Sequence, residues 1–253
     1  MTWMLLALAG AGVGMTFGLF GAGGSAFATP VLALLGVPAP IAVATPLPAM
    51  LPASLAGARE YLRVGLLDRR VARFAVLAGL PAVIAGAALS RFVGGTLLLV
   101  LSGVMLLAVG LRMAIASSAS AARPWHLAAS GTPARGSLVV GLVGGAAFLT
   151  GLLANGGGFL LVPIFVLVLG LTAAQAAGTS MVTVAALTVP TFVTHWALGN
   201  IDWTIAVVFA LGVVPASIVG ARLGRRLPDQ LSRRLFGVVL IAFSVCFLVL
   251  RVL

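Results

Sequence analysis

Lysine is absent from this chain of 253 residues, and several other types nearly so: one Cys, one Tyr, two His and four Asp or Glu. Each gap excludes something. With Cys246 alone, no intramolecular disulfide can close and no thiolate cluster can hold a metal. The few carboxylates are not paired inside any apolar run, and HExxH, GxSxG and P-loop patterns are absent. The chain therefore reads as a non-enzyme with no cofactor and no metal. The first apolar run also lacks a basic leader segment, so it reads as a retained part of the fold.

What is abundant is apolar. Hydrophobic residues make up 62% and charged ones 8%, and the mean hydropathy is +1.24. No soluble domain of this size buries so much apolar surface, so lipid must solvate part of it. The formal charge of +11 rests entirely on arginine. On a membrane protein that charge reports orientation; it does not imply nucleic acid.

The stretch Leu152 to Pro163, LLANGGGFLLVP, sets three glycines inside an apolar run. LFGAGGSAFATP, Leu19 to Pro30, echoes it 133 residues earlier, with Gly23, Gly24 and Pro30 matching Gly156, Gly157 and Pro163. After a one-residue insertion the offset becomes 134: Thr45 pairs with Thr179, Asp68 with Asp202, Gly86 with Gly220 and Arg91 with Arg225. One spacing held over so many positions indicates a duplication, a common plan among transporters. The expected organisation is repeat 1 over residues 1–115, a cytoplasmic linker over 116–136 and repeat 2 over 137–253, forming one transmembrane domain.

Each half carries four apolar stretches, near 3–36, 40–58, 74–90 and 94–111, then 137–170, 175–198, 204–221 and 235–250. The last three of each set have single-span length, since about 20 helical residues cross a core of about 30 Å. The first of each is too long for one crossing and is interrupted by its glycines, so it reads as two short helices meeting at a break. If each broken stretch enters and leaves on one face, the loops 59–73, 112–136 and 222–234 all share a side. They hold thirteen of the fifteen arginines, and the positive-inside rule makes that side cytoplasmic. The expected fold is an all-α integral membrane protein of two inverted-topology repeats. Each has a broken or re-entrant helix pair plus three transmembrane helices, and both termini are extracytoplasmic. Whether the broken stretches turn back or cross as short full spans stays open.

A broken helix inside a membrane leaves backbone N–H groups that protein, water or ligand must satisfy. Helices starting near Ser25 and Gly158 would aim their positive ends at the breaks and form an anion cradle that needs no lysine. Gly23, Gly24, Ser25, Asn155, Gly156, Gly157 and Gly158 are its candidate residues; close helix packing is the other reading of the glycines. The second stretch of each half is also interrupted, by Pro46, Pro48 and Pro52 and then by Pro190, which brings Thr45, Thr179 and Ser180 forward as polar contacts. Such hydroxyls also bond back to their own helix. His195 is an intramembrane titratable group and a candidate for proton coupling, or an interfacial histidine. Asp68 and Asp202 read as helix N-caps, and Glu60 as a local partner for nearby arginines.

GLFGAGGSAFATPVLALLGVP with AVATP, and GLLANGGGFLLVPIFVLVLGL with AGTS, THWALGNIDW and GARLGRRL, resemble the sulfite exporter TauE/SafE family across nearly the whole chain. The resemblance implies a multi-pass protein of the bacterial cytoplasmic (inner) membrane that exports sulfite or a small organosulfonate such as sulfoacetate. Carried over by position, it points to Gly23, Gly24, Gly156, Gly157, Gly158, Pro30, Pro163, Thr45, Thr179, Ser180 and His195. Pro46 stands where the second half has Ser180, and Ser25 where it has Gly158. The expected partners are a small anionic substrate and the lipid bilayer, with a homodimer open and no nucleic acid. A passive small-anion channel and a non-transporting membrane scaffold are the alternatives.

Overall fold

The computed structural model describes residues 3–90, 92–93, 95–115, 133–153 and 160–252. Among them every regular element is helical. The first half contains α1 (Trp3–Phe20), a 3₁₀ segment (Gly21–Phe27), α2 (Ala28–Leu34), α3 (Ala39–Ala44), α4 (Leu47–Leu62), α5 (Arg69–Ser90) and α6 (Gly95–Ile115). The second contains α7 (Pro133–Leu153), α8 (Leu161–Leu167), α9 (Ala173–Ala197), α10 (Trp203–Gly224) and α11 (Asp229–Val252). Among the described residues six helical segments are long and apolar enough to cross a membrane. Large apolar side chains such as Met4, Leu77, Phe92 and Leu211 face outward, each at least 70% exposed. That surface suits lipid and would be untenable over a whole protein in water.

The first long stretch breaks as its glycines predict. Gly21 has a φ of +73°, in the left-handed region that favours glycine, and a side chain there would run into Ala177 and Ser180. Phe20 packs on Phe236 of α11 and Phe27 on Phe243, with ring centroids 5.1 and 4.7 Å apart. From Phe20 to Phe27 the chain thus advances in the direction of α11. Helix α1 runs alongside α10, and only the short link 225–228 separates α10 from α11. The chain therefore turns back at the break.

The proline interruptions behave differently in the two halves. The first falls between α3 and α4, at Thr45 and Pro46, where Pro46 and Pro48 remove two backbone donors within one turn. At Pro52 the expected interruption is absent and α4 continues through it. The interruption expected in the second half does not occur. Helix α9 runs unbroken through Pro190, and the Thr194 hydroxyl donates to the Pro190 carbonyl at 2.9 Å. A single missing donor is absorbed in a helix whose inner face is packed on both sides.

Glycine decides how the halves meet. Every described glycine with a neighbour within 4 Å of where a Cβ would stand finds that neighbour in the other half. Gly10, Gly14 and Gly18 of α1 press on Phe209, Val213 and Ser217 of α10, in rising order, so these two helices run parallel. Gly144 of α7 lies over Ala78 of α5 and Gly151 presses on Val83, again in parallel. The contacts repeat with the offsets of the sequence: Gly18 meets Ser217 and Ala221, and Gly151 meets Val83 and Ala87. Likewise Gly220 meets Met15 and Leu19, while Gly86 meets Phe148 and Leu152. Each half inserts its first helix against the other's counterpart of α5, the reciprocal pattern of a two-fold arrangement.

Gly18→Leu and Gly151→Leu are expected to lower the thermal midpoint in detergent strongly, with a loss of about 1–3 kcal/mol or more from overpacking. Gly12→Leu and Gly141→Leu, where a Cβ would meet no atom within 4 Å, should leave it nearly unchanged. Melting of the four variants followed by size-exclusion fluorescence checks this.

Candidate functional site

The first-half break is stitched to α9. The Ala22 amide donates to the Ser180 hydroxyl at 3.1 Å, which in turn donates to the Ala177 carbonyl at 2.9 Å. Ser25 donates to the Ala22 carbonyl at 2.7 Å. Ser25 and Ser180 are thus brought together on either side of Ala22, both fully buried. Gly23 and Gly24 lie on the 3₁₀ segment between Ala22 and Ser25. The helical segment after the break starts near Ser25, as expected. Its first turn is 3₁₀, with Ala28 N–H bonded to the Ser25 carbonyl, and the α-helix proper starts at Ala28. Thr29, in the first turn of α2, is buried with no partner for its hydroxyl. Asn155, Gly156, Gly157 and Gly158 lie outside the described residues.

Thr45 and Thr179 lie toward opposite ends of the bundle, each bonded to the other half. The Thr45 hydroxyl accepts from the Asp202 amide at 3.2 Å, and the Thr179 hydroxyl from the Asp68 amide at 3.0 Å. Each aspartate then caps its own helix. Asp68 accepts from the Arg70 and Val71 amides and Asp202 from Ile205, as their positions ahead of the third stretches predict.

The arginines gather at one end. Glu60, 5% exposed, faces Arg63 at 3.1 Å, Arg222 at 3.3 Å and Arg225 at 3.7 Å. The last two come from the other half, so this carboxylate ties the halves together beyond its own loop. Beside it Tyr61, the only tyrosine, is completely buried, and its hydroxyl donates to the Gly18 carbonyl at 3.0 Å and the Leu19 carbonyl at 3.2 Å. These carbonyls lie in the last turn of α1, where the helix has no further donors of its own.

At the opposite end His195 is 2% exposed, and neither ring nitrogen has a hydrogen-bond partner. It lines a cavity of about 260 Å³ together with Pro40, Val43, Ser90, Leu98 and Asn200. Phe192 stacks on Trp196 at this end and Trp203 meets both edge-on, with ring centroids 5.9 to 6.3 Å apart. Ser90, Asn200 and Tyr61 were not expected as site residues. The signal that could have found them is disagreement between the copies: under the offset of 134, His195 stands opposite Tyr61, Asn200 opposite Leu66 and Ser90 opposite Gly224.

Comparison with known proteins adds to this geometry. A family model described as Sulfite exporter TauE/SafE matches residues 6–247. Two curated proteins of Xylella fastidiosa, from strains Temecula1 and 9a5c, are each 30% identical over 237 residues. The alignment covers 92% of this chain and 90% of theirs, and both are described as a probable membrane transporter protein. No solved structure is a significant match.

Thr45→Val and Thr179→Val are each expected to cost about 1–3 kcal/mol, since each strands a partly buried amide. The serine variants should recover most of the loss. Because the two bonds sit at opposite ends, the double variant should show the sum of the single effects, as measured by thermal melting.

Proposed function

This chain belongs to the sulfite exporter TauE/SafE family of membrane transporters, and we propose that it is a secondary transporter moving a small sulfur-containing anion, sulfite or an organosulfonate such as sulfoacetate, outward by alternating access. The observation that carries the reading is the reciprocal glycine packing of the two halves. Helix α4 runs with α10, as Ala53 opposite Ser217 and Gly57 opposite Ala221 indicate, and α1 also runs with α10. Helix α5 returns from α4 after the short link 63–68, and α7 follows α5. Helices α1 and α7, equivalent by repeat, then run in opposite directions, which supports inverted repeats. Two inverted copies can exchange conformations about a central site, the physical basis of alternating access.

The same geometry supports an orientation. The arginines of 59–73 and 222–234, with Arg112, fall at one end of the bundle. The positive-inside rule assigns that end to the cytoplasm and both termini to the other side of the inner membrane. The anion would be held between the two breaks. Gly23, Gly24 and Ser25 come from the first, Asn155, Gly156, Gly157 and Gly158 from the second, with Thr45, Thr179 and Ser180 bracing the helices around them. His195 is the candidate for proton coupling.

In proteoliposomes, sulfite or sulfoacetate flux is expected to saturate with concentration and to respond to an imposed proton gradient. Flux that ignores the gradient and rises linearly with voltage would identify a passive channel instead. Gly157→Leu should abolish the flux while insertion is retained; full activity in that variant would remove the second break from the site.

A further inference from the structure

The two ends of the bundle should look alike if the halves are equivalent, and they do not. At the arginine end, Tyr61 fills the space between α1, α9 and α10. It lies against Gly178 and Gly224, neither of which has room for a Cβ. A void at that end lined by Phe20, Ser232 and Phe236 holds only about 10 Å³, and the groove of about 500 Å³ along Arg69, Arg73 and the exposed Leu77 is not lined by Tyr61. At the other end the equivalent residue is His195. An imidazole is shorter than a phenol, and the space that Tyr61 occupies in one copy is matched by a cavity of about 260 Å³ in the other.

The lining differs in chemistry as well as size. Leu66 of the closed end is replaced by Asn200, and Gly224 by Ser90. The Ser90 hydroxyl already donates to the Ala87 carbonyl at 2.7 Å, so it has only lone pairs left. Both His195 nitrogens are unpartnered at 2% exposure. The Asn200 side-chain amide makes no hydrogen bond among the described residues; its backbone amide donates to the His195 carbonyl at 3.2 Å. Among the described lining residues there is no carboxylate to hold a cation. The nearest acid in sequence, Asp202, is engaged by the Ile205 amide. Two unused N–H donors in a cavity walled by Pro40, Val43 and Leu98 suit a small acceptor-rich ligand.

We propose that the cavity at His195 and Asn200 is an oxyanion-binding site on the face opposite the arginines, and that Tyr61 is the stopper of its symmetry-related counterpart. This rests on the transporter reading and adds to its site between the breaks a separate outer site for the anion and a residue that closes the far side. The structure is then the state open away from the arginine end. Opening toward the arginines requires Tyr61 to release the Gly18 and Leu19 carbonyls.

The test uses the full chain in detergent, with sulfite and sulfate as probes. Trp196 adjoins His195, and its ring centroid lies 6.3 Å from that of Trp203, so intrinsic fluorescence reports occupancy. A saturable change is expected in the wild type. His195→Tyr and Asn200→Leu, which rebuild the closed end in the open one, should weaken binding at least tenfold, while Gly12→Leu, where a Cβ would meet no atom within 4 Å, leaves it intact. If His195→Tyr fails to fold, His195→Gln keeps the cavity and should still weaken binding. Equal binding in wild type and in folded His195 and Asn200 variants overturns the proposal. Should those variants also carry the anion into liposomes at the wild-type rate, the site is wrong and the transporter reading survives. A wild type that neither binds nor moves either anion overturns both.

Discussion

Backbone-to-backbone contact at glycine is the constraint on which this molecule depends. Lipid tails are as apolar as leucine, so burying apolar surface between two membrane helices brings little gain; close packing and local hydrogen bonds must supply the association. Gly18 against Ser217 and Gly151 against Val83 are where the helices come near enough for that. The same economy explains the polar contacts. Ser180 bonding to Ala22, Thr45 to Asp202 and Thr179 to Asp68 satisfy amides that hydrocarbon would leave stranded. Helix packing and helix breaking are thus one design. The glycines that let α1 approach α10 lead directly into the Gly21 turn, where the chain reverses.

Much of this was legible in the sequence because a duplicated chain carries its own comparison. The offset of 133, then 134, reappears in the contacts themselves, as the Gly18 and Gly151 pairs show. The break within Leu19 to Pro30, the caps at Asp68 and Asp202 and the clustering of arginine follow from local chemistry, although the left-handed turn falls at Gly21 and not at Gly23 or Gly24. Pro190 misled because the loss of one donor cannot be weighed from sequence alone; the packing around α9 decides it. Thr45 and Thr179 read from sequence as polar contacts close to a shared site. Their partners are amides far away in the chain, and a bond across 157 or 111 residues leaves no local trace. Glu60 was read from its neighbours in sequence, whereas Arg222 and Arg225 reach it from the second half.

The departures from symmetry carry as much meaning as the symmetry. Where the copies agree, they build the scaffold: glycine opposite glycine, threonine opposite threonine. Where they disagree, they separate the two ends of the bundle. One end is a tyrosine packed on glycines beneath a carboxylate ringed by arginines, and the other is a cavity beside a histidine with free nitrogens. A perfectly repeated chain would have two identical ends and no built-in polarity. At three paired positions, Tyr61 with His195, Leu66 with Asn200 and Gly224 with Ser90, the two ends carry different side chains.

Since the described glycines with close neighbours all find them across the duplication, neither half is complete in itself. A separated half would present a row of unfilled grooves to lipid, with no partner to seat in them. Two such halves as independent chains would meet the same need, each fitting its first helix into the other. One continuous chain fixes at one to one a pairing that two separate halves would have to find by diffusion.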